Sequence, residues 1–182
     1  MMEPESFEKV AVVCDSVGLA YAGLGPDLRH LLKRARKEAQ KYFMVYDQDP
    51  PVSVLVKDIA TSMQEFTQSG GVRPFGVSIL LAGCDDLHGP GLFQLDPSGA
   101  WFAWKATAIG KNMASTRTFL EKRYSEEMEL EDAIQTALLA LKEGFDGQLN
   151  EGNIEVGIID SVSRKFRLLT PSQVKDYLDN IL

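Results

Sequence analysis

Between Gln68 and Val77 the chain has to leave a helix and enter a buried strand. The run Thr67-Gln68-Ser69-Gly70-Gly71-Val72-Arg73-Pro74-Phe75-Gly76-Val77 leaves few ways of doing so. Consecutive glycines reach backbone conformations closed to other residues. Pro74 then disfavours helix at Arg73 and sets an extended entry. A second run, Asp96-Pro97-Ser98-Gly99-Ala100-Trp101-Phe102-Ala103-Trp104-Lys105-Ala106-Thr107-Ala108-Ile109-Gly110-Lys111-Asn112, places a turn, an aromatic-rich strand and a helix entry in one block.

Apolar spacing fills in the rest. Lys9 to Ala22 reads as a hairpin, with Val10, Val12 and Cys14 alternating and Gly18 marking the turn before Leu19 and Tyr21. From Pro26 the period lengthens. Leu28, Leu31, Leu32, Ala35, Ala39, Tyr42, Phe43 and Tyr46 form one face of a helix about five turns long. Pro26 suits the first turn of that helix, and Asp27 complements its positive end. A second helix after Pro50-Pro51 carries Val52, Leu55, Ile59, Met63 and Phe66 on one stripe. Strands return at Val77 to Ala82, Leu92 to Leu95 and Ala100 to Ala108, the last two joined by a turn at Asp96-Pro97-Ser98-Gly99. Two helices follow, from Met113 to Tyr124 and through Leu130, Ile134, Ala137, Leu138 and Leu141. Ile154 to Ile159 and Phe166 to Leu168 read as a closing hairpin. Thr170-Pro171-Ser172-Gln173 is a capping box for a last helix with Val174, Tyr177, Leu178 and Ile181 inward. This order is not the alternation of a doubly wound sheet. It suits antiparallel sheets covered by helices, a layered α+β fold. No repeat or linker interrupts residues 1–182, which read as a single domain.

Taken together, the two long runs resemble the α subunits of the proteasome core particle. Tyr21-Ala22-Gly23-Leu24-Gly25-Pro26-Asp27 is similar to the family's turn into its first long helix. Phe119 to Tyr124, Leu130 to Ile134 and Asn153 to Gly157 resemble later elements. Gly25-Pro26-Asp27 and the ending Val174-Lys175-Asp176-Tyr177-Leu178 narrow the resemblance to one paralogue type. The resemblance implies the four-layer αββα sandwich of N-terminal-nucleophile hydrolases. It also implies a non-catalytic place in a heptameric α ring that stacks on catalytic β subunits, restricts substrate entry and docks regulatory particles in ubiquitin-dependent protein degradation. Partners are then other α subunits, β subunits and regulatory particles or activators. The compartments are cytoplasm and nucleus, and no cofactor or metal is implied. The family's tail, opening helix and first two strands have no counterpart in Met1 to Glu8. The domain is therefore expected to be N-terminally incomplete, from a truncated gene model or a splice variant. It should then lack gate residues and carry an unpaired sheet edge.

The chemistry-bearing residues are few. The β subunits use a mature N-terminal threonine whose own amine is the base. A chain beginning Met1-Met2 cannot, and no peptidase activity is expected. A free-standing amidohydrolase of the same fold class would need processing to a Ser, Thr or Cys such as Cys14. His30 reads as a packed or surface imidazole, and Asp85-Asp86-Leu87-His88 as a turn rich in aspartate for local hydrogen bonding, not a metal site. Cys14 and Cys84 read as buried free thiols of a reducing compartment. Trp101, Phe102 and Trp104 read as strand packing. Arg29, Lys33, Arg34, Arg36, Lys37 and Lys41 form a basic helix face that a nucleic-acid binder could use. The net charge of −7 argues against that use. No apolar run has the length of a membrane span, and Met1 to Glu5 lacks the apolar segment of a secretory signal. One constellation remains. Lys9 stands at the family's spacing from Gly23-Leu24, and the resemblance implies a pocket between adjacent subunits that receives the C-terminal tails of activators. There an ammonium pairs with a terminal carboxylate while turn amides donate to the same anion. A solvated lysine at a strand start fits the sequence equally well.

Overall fold

The computed structural model describes residues 8–86, 88–145 and 147–181. Strands β1 (Val10–Cys14) and β2 (Val17–Gly23) are followed by helices α1 (Gly25–Tyr46) and α2 (Val52–Gln68). Strands β3 (Val77–Asp85), β4 (Gly89–Leu95) and β5 (Trp101–Trp104) come next. Then follow α3 (Met113–Arg123), α4 (Leu130–Gly144), β6 (Gly157–Ile159), β7 (Phe166–Leu168) and α5 (Pro171–Ile181). The first five strands form one antiparallel sheet in the order β1-β2-β3-β4-β5, and β6 pairs with β7. The fold is α+β, as expected.

The two faces of the large sheet are covered differently. Val17, Leu19, Tyr21, Val77, Ile79, Leu81 and Leu95 are buried, and they cluster with Leu28, Leu31 and Ala35 of α1 and Leu55, Ile59 and Met63 of α2. Strand alternation sends Gly18, Ala20, Ala22, Ser78, Leu80 and Ala82 to the opposite face, where β2 contributes only small residues. There the Phe166 ring of β7 lies so close that a Cβ on Gly18 would meet it at 2.1 Å, and a Cβ on Gly157 would meet it at 2.4 Å. Small side chains let the second strand pair approach where larger ones would hold it off. A second apolar cluster joins Ile134 and Leu138 of α4, Ile158 of β6 and Val174 and Leu178 of α5. The capping box forms as expected, Thr170 N–H donating to Gln173 Oε1 at 3.0 Å and Gln173 N–H to Thr170 Oγ1 at 3.4 Å.

Several details differ from the sequence reading. The first turn falls at Asp15-Ser16, pinned by the Ser16 N–H to Asp49 Oδ2 at 2.9 Å, and Gly18 lies inside β2. In β1 the buried residues are Ala11 and Val13, while Val12 is exposed, so the alternation has the expected period and the opposite phase. The last turn of α1 leaves the sheet, and Phe43 and Tyr46 are exposed. Leu130, Ala137 and Leu141 of α4 are exposed as well. β5 stops at Trp104, and Trp101, Phe102 and Trp104 stand at the sheet's edge with Phe102 54% exposed. The outer edge of β1 is not bare: Arg36 donates to Val12 O through Nε at 2.9 Å and Nη2 at 2.8 Å, and Val10 N–H donates to Glu155 Oε2 at 2.7 Å. Side chains there take the place of a neighbouring strand, one way in which sheet edges are kept from pairing with other chains. The Met1-Met2 reading lies outside the described residues, as do residues 87 and 182.

The β4–β5 turn depends on Gly99, whose φ of +83° lies in the left-handed region and whose Cβ position is 2.7 Å from the Ala60 carbonyl oxygen of α2. Both backbone conformation and space therefore exclude a side chain. Gly99→Ala is expected to lower the unfolding free energy by about 2 kcal/mol or more, from left-handed strain and overpacking together. Urea unfolding followed by circular dichroism checks this, and an unchanged midpoint would show that the turn is not so constrained.

Candidate functional site

The Gly23-Leu24 turn is built where β2 runs out and α1 begins. Gly23 has φ +125°, and a Cβ there would meet Gly76 O at 2.3 Å, so glycine is required on both counts. Leu24 N–H donates to Gly76 O at 2.9 Å, and Leu24 O accepts the first helical bond from Leu28 at 3.2 Å. In an antiparallel ladder, hydrogen-bonded and non-bonded pairs alternate along the strand. Leu24 bonds across to β3, so the N–H and C=O of Gly23 point to the other side, towards β1. The β1–β2 register runs from Val10↔Ala20, which sets Lys9 opposite Tyr21, two residues before Gly23. The structure therefore brings Lys9 and the Gly23 amide to one side of β2. Of the turn amides expected to serve an anion, that of Leu24 is already engaged with Gly76 O.

Lys9 is also positioned. Its backbone N–H donates to Glu155 Oε2 at 2.8 Å, and its ammonium lies 4.4 Å from the centre of the Tyr21 ring. Tyr21 is buried, and its hydroxyl lies 3.1 Å from where a Cβ on Gly25 would be. One aromatic side chain thus underlies both the lysine and the turn. A cation over a ring is drawn to its face, which fixes where the Lys9 side chain lies.

Sequence reasoning missed what fixes the turn from behind. Asp27 accepts from Arg73 through both oxygens, Nη1 to Oδ2 at 2.7 Å and Nη2 to Oδ1 at 2.9 Å. Asp27 Oδ2 also accepts the Gly76 N–H at 2.9 Å. Gly76 is held on its N–H by Asp27 and on its carbonyl by Leu24. The Arg73 guanidinium, followed by the Gly76 amide, pulls the Asp27 carboxyl down from 3.8 to about 2. Asp27 was legible only as a helix-dipole partner; the only hint of its further role was an arginine in the run that leaves α2.

The other candidates stay apart. His30 is exposed and stacks on Phe75 at 5.8 Å between ring centres. His88 Nδ1 is 3.2 Å from Asp85 Oδ1 in the β3–β4 turn, beside an open groove of about 390 Å³ lined by Val52, Pro90, Trp104 and Lys105. No group of three or more potential metal ligands occurs among the described residues. Burial pushes the Cys14 thiol up to about 11, with Ser16 Oγ 3.7 Å from its sulfur, so it is held as an unreactive thiol. On the basic face of α1, Arg36 is committed to Val12 O and Lys41 pairs with Glu38 at 2.6 Å.

Comparison with known proteins bears on all of this. The family described as proteasome subunit matches residues 1–159. Proteasome subunit alpha type-2 of Dictyostelium discoideum is 58% identical over 181 residues, covering 100% of this chain and 77% of its own length. Its counterpart in Drosophila melanogaster is 54% identical, with 100% of this chain and 76% of its own length covered. That of Oryza sativa subsp. japonica is 52% identical, with the same shares covered.

The Asp27–Arg73 pair has a pH signature. Ionised Asp27 is favoured in the folded chain, so its contribution is complete above 3.8, the ordinary aspartate value, and is lost as pH falls through about 2. Asp27→Asn is expected to cost about 1 kcal/mol at pH 7, as for a well-aligned ion pair near the surface. Denaturant unfolding of the two chains from pH 7 to pH 2 should show that difference shrinking below pH 4.

Proposed function

Because this chain belongs to the proteasome subunit family, we propose that it serves as a non-catalytic α subunit of the core particle, of type 2. The observation that carries this reading is identity above one half, along the whole chain, to relatives named proteasome subunit alpha type-2. In that role it occupies one place in the heptameric α ring, against other α subunits and the β subunits, and contributes to controlled substrate entry in ubiquitin-dependent degradation. Its fold would then be the αββα sandwich, with α1 and α2 outside one sheet and α4 and α5 outside the other. The β6–β7 pair between α4, α5 and the large sheet supports that layering. Cytoplasm and nucleus are the compartments of such a particle. Among the described residues no helix is long and apolar enough to cross a membrane.

Surface chemistry supports a life in an assembly. The end of α1 exposes Phe43, Met44, Val45 and Tyr46, with Met44 79% and Val45 73% exposed. At the other edge of the sheet β5 exposes Trp101, Phe102 and Trp104. Contiguous apolar surface with a polar rim marks protein contacts, and two such areas at separate places suit a ring member with several neighbours. We further propose that Lys9 and the Gly23 amide, next to Leu24, receive the terminal carboxylate of an activator tail.

A tagged copy of the chain expressed in cells should sediment with the core particle. Met44→Glu together with Val45→Glu should reduce that fraction several-fold while leaving the thermal midpoint of the purified chain unchanged, because both side chains already face solvent. A chain that sediments only as a free species would overturn the reading.

A further inference from the structure

We infer that the Asp27–Arg73 pair is a positioning device for carboxylate capture, fixing the turn so that the Gly23 N–H is aimed to the side on which Lys9 stands; this rests on the tail-binding reading of Lys9, Gly23 and Leu24. Four contacts link the pair to the donor. Arg73 holds both oxygens of Asp27, at 2.7 and 2.9 Å. Asp27 Oδ2 holds Gly76 N–H at 2.9 Å. Gly76 O holds Leu24 N–H at 2.9 Å. Leu24 is joined to Gly23 by the peptide bond itself. The relay has little slack. A Cβ on Gly23 would strike Gly76 O at 2.3 Å, and one on Gly76 would strike Leu24 Cδ1 at 2.8 Å, so the two backbones are already at closest approach.

The location of the pair favours positioning over direct contact. Arg73 and Asp27 satisfy each other, and the Asp27 side chain is 12% exposed. They act from the β3 side of the turn, whereas Lys9 lies on the β1 side. An anion reaching Gly23 from the β1 side therefore touches neither of them. Their effect is on the direction of one N–H, and donors weaken steeply when misaligned. Lys9 alone supplies an undirected charge that would also attract a side-chain carboxylate. An aimed amide beside it selects a carboxylate at one place. Arg73→Lys should be felt for the same reason, since an ammonium cannot hold both oxygens of Asp27 in a planar fork.

The test is a peptide titration of the core particle assembled with this chain, read as photo-crosslinking of a diazirine-bearing peptide to this chain, because the proposed pocket lies between adjacent subunits. The probes are an acetylated octapeptide ending in a free alanine carboxylate and the same peptide amidated at its C-terminus. The wild-type chain should bind the free carboxylate more tightly by about tenfold, the worth of one charge-assisted hydrogen bond. Lys9→Ala should weaken the carboxylate peptide. Arg73→Lys and Arg73→Gln should lower its affinity several-fold while leaving the amide's affinity unchanged, the remaining preference coming from Lys9. A purely structural role would weaken both peptides alike, so the ratio is the diagnostic quantity. An Arg73→Gln chain that keeps the wild-type ratio overturns the positioning role and leaves the pocket standing. A wild-type chain that, in the assembled particle, crosslinks to the two peptides alike overturns the pocket reading and the inference with it.

Discussion

A five-stranded antiparallel sheet can be covered on both faces only if each face is cut to what covers it, and that constraint organises this chain. One face is made of Val17, Leu19, Tyr21, Val77, Ile79 and Leu81, large enough to interdigitate with two helices. On the other, β2 presents only Gly18, Ala20 and Ala22, and at Gly18 the Phe166 ring comes down onto the backbone. A side chain at Gly18 would lift the β6–β7 pair, and with it Glu155, whose carboxylate holds the start of β1. The setting of Lys9 thus depends on packing at Gly18, nine residues away in sequence and across the sheet from the helices.

Polar groups do for α3 what apolar burial does for α1 and α2. No residue of α3 is buried. It is tied down by Arg117, which donates to Ala108 O at 3.0 Å and to the buried Gln94 at 2.8 Å and lies over the Trp104 ring. Gln94 in turn donates to Asp96 at 2.9 Å. A buried glutamine is costly when any of its groups is unmet and rigid when all are met. This one sets where the aromatic strand ends, because Thr107 turns back to it at 3.3 Å, and the strand expected to reach Ala108 stops at Trp104.

What the sequence disclosed followed its periodicity. The stripes of α1 and α2, the Asp96–Gly99 turn and the capping box were legible because each is set by residues within a turn or two of one another. The phase of β1 was not. Val10, Val12 and Cys14 are as apolar as Ala11 and Val13, so alternation alone does not choose a face; the choice is made by pairing to Leu19. The exposed tryptophans were misread for a related reason, since nothing local says that β5 is an edge. Lys9, Gly23 and Leu24 could be named as a set only through the family resemblance, and which amide faces Lys9 depends on strand parity. Asp27 and Arg73 are 46 residues apart, a separation that no pattern reading spans.

The two ends of α1 show how one helix serves fold and function together. Its first turn gives Asp27 to the clamp on Gly76, and its middle buries Leu28, Leu31, Leu32, Ala35 and Ala39. Its last turn runs past the sheet and offers Phe43, Met44, Val45 and Tyr46 to solvent. A helix of 22 residues on a sheet that buries only its first two-thirds is longer than folding requires. Burying that overhang against a partner would make the end of α1 an assembly surface without disturbing the core. A shift of the helix along its axis would also move Asp27, and through Gly76 the direction of the Gly23 amide. Packing at one end of the helix is therefore mechanically continuous with the geometry of the Gly23-Leu24 turn at the other. The short link from Asp27 to Gly76 to Leu24 is what would carry such a shift to the turn.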